Sequence, residues 1–273
     1  MNQKLKRGVL NISLLFMSVV TVTPFIWMLF SSFKHNSEIT SAQPTFFPKE
    51  FTLDNYLSIQ ENFNFIQLFG NSLFVAIVIT VLVVYTSTVC GYVLSKYRFK
   101  GRNLLFSFIL ATMMIPWCVT IIPRYSLMIK IGWLDSYLAL IVPSMINGFG
   151  IFMLKQYITT IPNEIIEAAR IDGASEFRIL HKIIFPLSRN AIASIAIFQF
   201  LWAWEDYLWP YLVINSESKQ LLSVGLQMFN GQYGTNYGGL FAATAISIIP
   251  VVIVYLIFQR RFIEGVASSA VKG

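Results

Sequence analysis

Apolar residues in this chain come in long, nearly charge-free blocks separated by polar stretches, with no alternation of the kind strands show. The blocks cover residues 9–33, 69–95, 103–123, 136–155, 190–213 and 239–259. About 20 consecutive apolar residues are enough for a helix to cross a bilayer. The pattern therefore predicts an all-α integral membrane protein: six transmembrane helices in a single domain over residues 1–273. The fifth block runs past an acidic pair, Glu205 and Asp206, and on to residue 213. Pro24, Pro116, Pro143, Pro210 and Pro250 lie in or at the ends of these blocks, where kinks are expected if neighbours satisfy the freed carbonyls.

Between the first two blocks, a segment rich in Pro, Asn, Ser and Thr contains "FTLDNY", which predicts one short surface helix after the turn at Pro48. The glycine-rich "LSVGLQMFNGQYGTNYGG" reads as a loop dipping partway into the bilayer. No soluble domain is expected at either end. The first block is too long for a secretory signal, whose apolar region spans about 7–15 residues, and is expected to remain as a span.

Composition agrees with lipid as the solvent. Of the 273 residues, 56% are hydrophobic and 12% charged, against about 25% charged in soluble domains. Net charge is +7, and the distribution of Lys and Arg sets the expected orientation. With six spans and a cytoplasmic N-terminus, the inner side holds Lys4, Lys6, Arg7, the cluster from Lys96 to Arg102, the basic residues from Lys155 to Arg189, and Arg260, Arg261 and Lys272. Only Lys34, Lys49, Arg124, Lys130 and Lys219 fall outside. Both termini are thus expected in the cytoplasm. The basic balance reflects topology and implies no nucleic acid, because no basic patch lies away from the loops that flank spans. Cys90 and Cys118 both fall inside spans, where cysteine acts as a small apolar residue.

One polar stretch is unusually large. Between the fourth and fifth spans, residues 156–189 include "PNEIIEAARIDGASEFRILHKIIFPLSR". Pro162 and Asn163 suit a helix start, and Glu164 and Glu167 favour its positive end. Gly173 can take the left-handed conformation that ends a helix, and Ser175 can cap a second one that stops near Pro186. Glu167 and Arg170 are one turn apart and can pair. On shape alone the segment is either a solvated connector or a docking surface, and its length favours docking.

Glu167-Ala168-Ala169, three residues, Gly173, nine residues, Ile183, one residue, an apolar residue and Pro186 together resemble the "EAA" signature of bacterial ABC importer permeases. Phe185 stands where that pattern usually has Leu. "SSFKHNSEI", "NSLFVA", "GYVLSKYRFKGRN", "MMIP" and "GVASSAVKG" are similar to the carbohydrate-importer branch with its maltose-transporter-like inner-membrane subunits, so the resemblance covers nearly the whole chain. It implies that residues 167–186 form a coupling helix on an ATP-binding subunit, with Glu167, Ala168, Ala169, Arg170, Asp172 and Gly173 at the contact. It further implies a homologous second permease, two ATP-binding subunits, an extracytoplasmic solute-binding protein and a bacterial inner-membrane location. The C-terminal "ASSAVKG" is a second expected contact with the ATP-binding subunits.

Enzymatic chemistry has little to work with. ATP binding needs a G-x-x-x-x-G-K-[ST] loop, and no Gly-Lys pair occurs. No cofactor is therefore expected in this chain, the nucleotide belonging to the partners. His35 and His181 lack companions at metal-ligand spacing. The acidic pair is the sole ionisable group expected within a span; Glu205, sixteen residues from Arg189, lies roughly 24 Å along a helix, which is too far out for a midplane proton relay. Similar proteins usually carry Asn where Glu205 stands, and its readings are a water-facing pair in the outer vestibule, solute contact or a salt bridge to a neighbour. Trp202, Trp204, Tyr207, Trp209 and Tyr211 surround the pair and suit either an interfacial belt or a sugar-stacking surface. Asn147, Gln199, Trp204, Glu205, Asp206 and Tyr207 are the candidate solute-pathway residues. The solute itself is read as an oligosaccharide or other carbohydrate. A glycerophosphodiester or polyol is the alternative, and a stand-alone secondary transporter would require midplane charges or inverted repeats.

Overall fold

A computed structural model of the chain describes residues 3–62, 64–231 and 234–270. It is almost wholly helical. In chain order the α-helices are α1 (Gln3–Ser31), α2 (Asn36–Ile39), α3 (Asp54–Asn62), α4 (Phe65–Lys96), α5 (Arg102–Met113), α6 (Trp117–Lys130), α7 (Leu138–Ile141) and α8 (Gly148–Thr159). They continue with α9 (Asn163–Ile171), α10 (Glu176–Ile179), α11 (Phe185–Leu187), α12 (Arg189–Glu205), α13 (Leu208–Val213), α14 (Leu222–Gly225) and α15 (Tyr237–Ala270). A two-residue antiparallel ladder, Asn230 opposite Thr235 and Gly231 opposite Gly234, breaks the helical pattern in the stretch read as a glycine-rich loop. Gln232 and Tyr233 of that loop, and the last three residues of the tail, lie outside the described residues.

Four helical segments are long and apolar enough to cross a membrane: Arg7–Ser31, Phe65–Lys96, Leu138–Thr159 and Tyr237–Arg260. Two further candidates are bent pairs, α5 with α6 at 99° and Glu176–Leu187 with α12 at 79°. Three expected spans therefore differ from simple rods. The block 103–123 contains a sharp bend at Pro116, and α5 alone, with 12 residues, reaches only about 18 Å. Within 136–155, Asn147 is extended (φ −120°, ψ 118°) and separates α7 from α8. In 190–213 the helix stops at Glu205, Asp206 turns extended, and α13 starts afresh.

The chain forms two compact units. One comprises Met1–Gln67 and Gly225–Ile249. Its α1 exposes apolar side chains along its length, including Ile12, Phe16 and Met17, which fits a lipid-facing helix. At the end of α1, Asn55 donates to the carbonyls of Ser32 and Lys34 at 2.8 Å each, and Phe33 stacks on Phe51 with centroids 4.7 Å apart. These contacts seat α3, the helix expected at "FTLDNY".

The other unit, Leu68–Val224 and Pro250–Gly273, carries the larger core. Val75, Ile79, Val83 and Tyr92 of α4 pack with Leu154 and Ile158 of α8, with Ile179 and Ile184 after it, and with Ile195, Trp209 and Val213. Small residues let α4 and α8 approach closely: a Cβ at Gly91 would lie 2.9 Å from the Lys155 backbone nitrogen, and one at Gly150 would lie 2.5 Å from Ser87 Oγ. Asp135 fastens the α6–α7 turn to the segment after α13, accepting from the backbone of Asn215 (3.1 Å) and Ser216 (2.8 Å) and pairing with Lys219 at 3.0 Å. Because the obstacle at Gly91 is backbone, Gly91→Ala must push the two helices apart. It should cost about 1–3 kcal/mol, read as a lowered thermal midpoint of the purified protein; an unchanged midpoint would show that the interface gives freely.

Candidate functional site

Residues 156–189 fold as a helix, a tight turn and a second helical segment. α9 exposes Glu167, Ala168 and Arg170 while Ile166 is buried beneath them and Ala169 is partly buried. Gly173 sits at φ +76°, the left-handed conformation that permits the turn, and its N–H donates to the Arg170 carbonyl at 3.0 Å. Ser175 caps α10 by accepting from the Arg178 N–H. The helix then widens into a π turn over Leu180–Ile184, with Ile179 and Ile184 fully buried.

The expected partnership of Glu167 with Arg170 does not form. Arg170 Nε donates instead to Glu176 Oε1 at 2.8 Å, across the glycine turn. Glu176 Oε2 also accepts from Tyr92 Oη at 2.8 Å and from Tyr97 Oη, and the Arg170 guanidinium lies 5.6 Å from the Tyr97 ring centroid. Glu176 was not singled out from the sequence because its partners are six and about eighty residues away. With Arg170 as the main cause, its carboxyl is held down at about 2 and the guanidinium is pushed further up. A carboxylate whose folded value is depressed contributes stability above the ordinary carboxylate range and loses it as the pH falls toward about 2. Glu167, Asp172 and Gly173 remain exposed. Ile171 and Phe177 add apolar surface, 86% and 69% exposed. His181 lies on the helix surface, its Nδ1 2.8 Å from the Phe177 carbonyl and its ring 3.9 Å from that phenyl.

A second feature lies among the interrupted helices. A cavity of about 650 Å³ is bordered by Trp117 just past the Pro116 bend, by Pro143, Ser144, Ile146 and Asn147 at the α7–α8 break, and by Glu205 to Trp209 at the α12–α13 break. Asn147 and Gln199 are brought together there, Asn147 Nδ2 donating to Gln199 Oε1 at 3.1 Å, while Asn147 Oδ1 accepts from the Gly150 N–H at 3.0 Å. The carboxylate of Asp206 accepts from the Trp209 N–H. Glu205 and Tyr207 also line the cavity. Trp204 does not: it is buried against Phe69 and Phe200, and Trp202 faces the space instead. The neighbouring salt bridge suggested for Glu205 is absent among the described residues. Arg124, counted from the sequence as a loop residue, lies inside α6 on the cavity wall, 4.4 Å from the Trp209 ring centroid. Its position could not be foreseen, since the bend at Pro116 decides which way α6 runs.

An aromatic cavity bordered by broken helices, with a separate exposed loop, is the arrangement of a transport subunit. Residues 87–268 match the family described as the inner membrane component of binding-protein-dependent transport systems, and the chain belongs to that family. It is 38% identical to the arabinooligosaccharides transport system permease protein AraQ of Halalkalibacterium halodurans, covering 97% of this chain and 96% of the relative. It is 32% identical to the trehalose/maltose transport system permease protein MalG of Thermococcus litoralis, over 98% of both. Among solved structures, a chain of a bacterial ABC transporter that imports the acidic polysaccharide alginate superposes with a TM-score of 0.85, at 25% identity, over 96% of this chain and 99% of that one.

If Glu176 anchors the loop, Glu176→Gln should speed tryptic cleavage after Arg170 and Arg178 severalfold, as local opening becomes easier. Glu167→Gln, at a carboxylate with no hydrogen bond among the described residues, should cleave at the wild-type rate. Equal rates for the two variants would remove the anchor.

Proposed function

We propose that this chain is the membrane-spanning subunit of an importer for an oligosaccharide or another carbohydrate, working in a bacterial plasma membrane. The observation that carries the reading is the convergence of three helix interruptions on one cavity walled by aromatic rings and amides. Non-helical backbone at membrane depth is tolerated only where protein or a water-filled cavity receives it, and transporters build solute sites from such discontinuous helices. Aromatic faces stack on the C–H faces of sugars, and amides and carboxylates meet their hydroxyls. The names of the relatives, which handle arabinooligosaccharides and trehalose or maltose, support the same solute class.

In this reading there are six spans, α5 with α6 making one and α12 with α13 another, with both termini and the 156–189 loop cytoplasmic. The loop docks on an ATP-binding subunit through Glu167, Ala168, Ala169, Arg170, Asp172 and Gly173. A homologous permease, two ATP-binding subunits and an extracytoplasmic binding protein complete the machine, and the nucleotide is bound and hydrolysed by the partners. Closure of those subunits draws the loops together and opens the permease outward; hydrolysis resets it. Small Ala168 and Gly173 permit close approach, and the surrounding charges orient it.

Purification of the tagged chain with an ATP analogue should recover these partners, and the complex in liposomes should take up a neutral oligosaccharide only with ATP. Recovery of the chain alone, moving solute without ATP, would overturn the proposal. Within the complex, a cysteine at Ala168 should cross-link to the ATP-binding subunit, and Ala168→Trp should lower uptake by about tenfold or more by blocking the contact. Undiminished uptake by Ala168→Trp would move the docking surface elsewhere.

A further inference from the structure

The cavity's polar groups fall into two sets, those already bonded within the protein and those left over. Asn147 and Gln199 bond each other, and Asn147 also closes the start of α8. The Asp206 carboxylate holds the Trp209 N–H, and its backbone carbonyl accepts from Ser223 Oγ at 2.7 Å. Two charged groups are left. The Arg124 guanidinium lies over the Trp209 ring and within electrostatic reach of Asp206, yet makes no hydrogen bond among the described residues. The Glu205 carboxylate likewise has no hydrogen bond or ion pair among them. A strong donor and a strong acceptor, both uncommitted, thus border one space with the exposed rings of Trp117, Trp202 and Tyr207. Its volume, about 650 Å³, lies within the range of roughly 300–1,000 Å³ usual for small-molecule sites.

From this we infer that the subunit itself grips the solute in the cavity, and that the site takes a neutral saccharide in preference to an acidic one. A hydroxyl both accepts and donates, so the hydroxyls of one oligosaccharide in the cavity can meet both Arg124 and Glu205 while a sugar ring lies on an aromatic face. A uronate carboxylate offers only acceptors. It would pair with Arg124 but bring its charge toward Glu205 and Asp206, two carboxylates against one guanidinium, where partial exclusion of water strengthens the repulsion. The inference rests on the carbohydrate-importer reading and goes beyond it by naming the gripping residues and the charge of the solute.

The test uses the whole transporter in nanodiscs, held outward-open by an ATP analogue without its binding protein, so that the permease alone is read. Tryptophan fluorescence is titrated with arabinotriose and maltotriose as neutral probes and with trigalacturonate as the acidic one. At least one neutral probe should bind more tightly than trigalacturonate. Arg124→Gln and Glu205→Gln should each weaken neutral binding by about tenfold, the usual effect of losing a hydrogen bond to a charged group. Glu205→Gln should at the same time improve trigalacturonate binding. Should Arg124→Gln fail to assemble, Glu205→Gln, which removes one charge at an exposed position, carries the test. Tighter trigalacturonate binding by the wild-type transporter would overturn the inference. So would neutral affinities unchanged in the variants, or no response to any probe. Uptake of a neutral probe in liposomes with the binding protein separates the two levels: uptake by variants with unchanged KM sinks this inference alone, whereas no ATP-dependent uptake of any saccharide sinks the importer reading with it.

Discussion

Inside a bilayer no water is available to an unpaired backbone amide, so a helix can be interrupted only where the protein supplies the missing partner. Each interruption in the larger unit meets that constraint by its own means. At the α5–α6 bend, Pro116 has no N–H to lose, and its carbonyl accepts from Val119 at 3.0 Å. At the α7–α8 break, the Asn147 side chain takes over the Gly150 N–H. Between α12 and α13, Asp206 receives the Trp209 N–H and gives its own carbonyl to Ser223. The residue that repairs the helix in the second and third cases also borders the cavity. Satisfying the backbone and building a polar wall are one act, which is why the polar residues of so apolar a chain gather there.

The loop between α8 and α12 solves the opposite problem. It shows a polar, small-residue surface and is held from beneath. Ile166, Ile179 and Ile184 are buried below, while Glu167, Ala168 and Asp172 stay on the outside. Glu176 joins the two halves through Arg170 and ties both to α4 through Tyr92 and Tyr97. At a half-exposed position a lone ion pair is worth little. Three donors on one carboxylate, together with the buried isoleucines, make the geometry specific.

The helical architecture and the loop were legible in the sequence because they depend on local rules. Apolar blocks longer than a bilayer is thick, a Pro-Asn helix start, Gly173 at a turn and Ser175 as a cap all act within a few residues. What the sequence hid depends on helix rotation and on partners far along the chain. Trp202 and Trp204 are two apart, so they point to different sides of α12; packing against Phe69 and Phe200 hides Trp204 and leaves Trp202 facing the cavity. Arg124 was legible as a charge but not as a cavity wall, since the 99° bend ahead of it is a tertiary result. Arg170 had a plausible partner at Glu167 one turn away and took Glu176 instead, because the turn at Gly173 folds the second helix back over the first. Asn147 and Gln199 were singled out only as polar residues in apolar surroundings, and that signal proved sufficient to find a bonded pair.

The loop and the cavity are far apart in function but share helices. α12 leaves the loop at Ser188 and, after 17 residues, about 25 Å, delivers Gln199 and Glu205 to the cavity. α4 does the same from the other direction, with Tyr92 bonded to Glu176 near one end and Val75 and Ile79 on the cavity wall near the other. Both helices are stiffened by close packing, α4 by Gly91 and Ser87 against α8 and α12 by buried Ala191, Ala193 and Ile195. In the proposed mechanism a displacement of the loop reaches two walls of the cavity through rods rather than through side-chain rearrangement. The helix breaks lie where those rods end. A wall interrupted at Asn147 and Asp206 can change its angle without tearing a continuous helix, whereas a cavity walled by unbroken helices could change only by moving them whole.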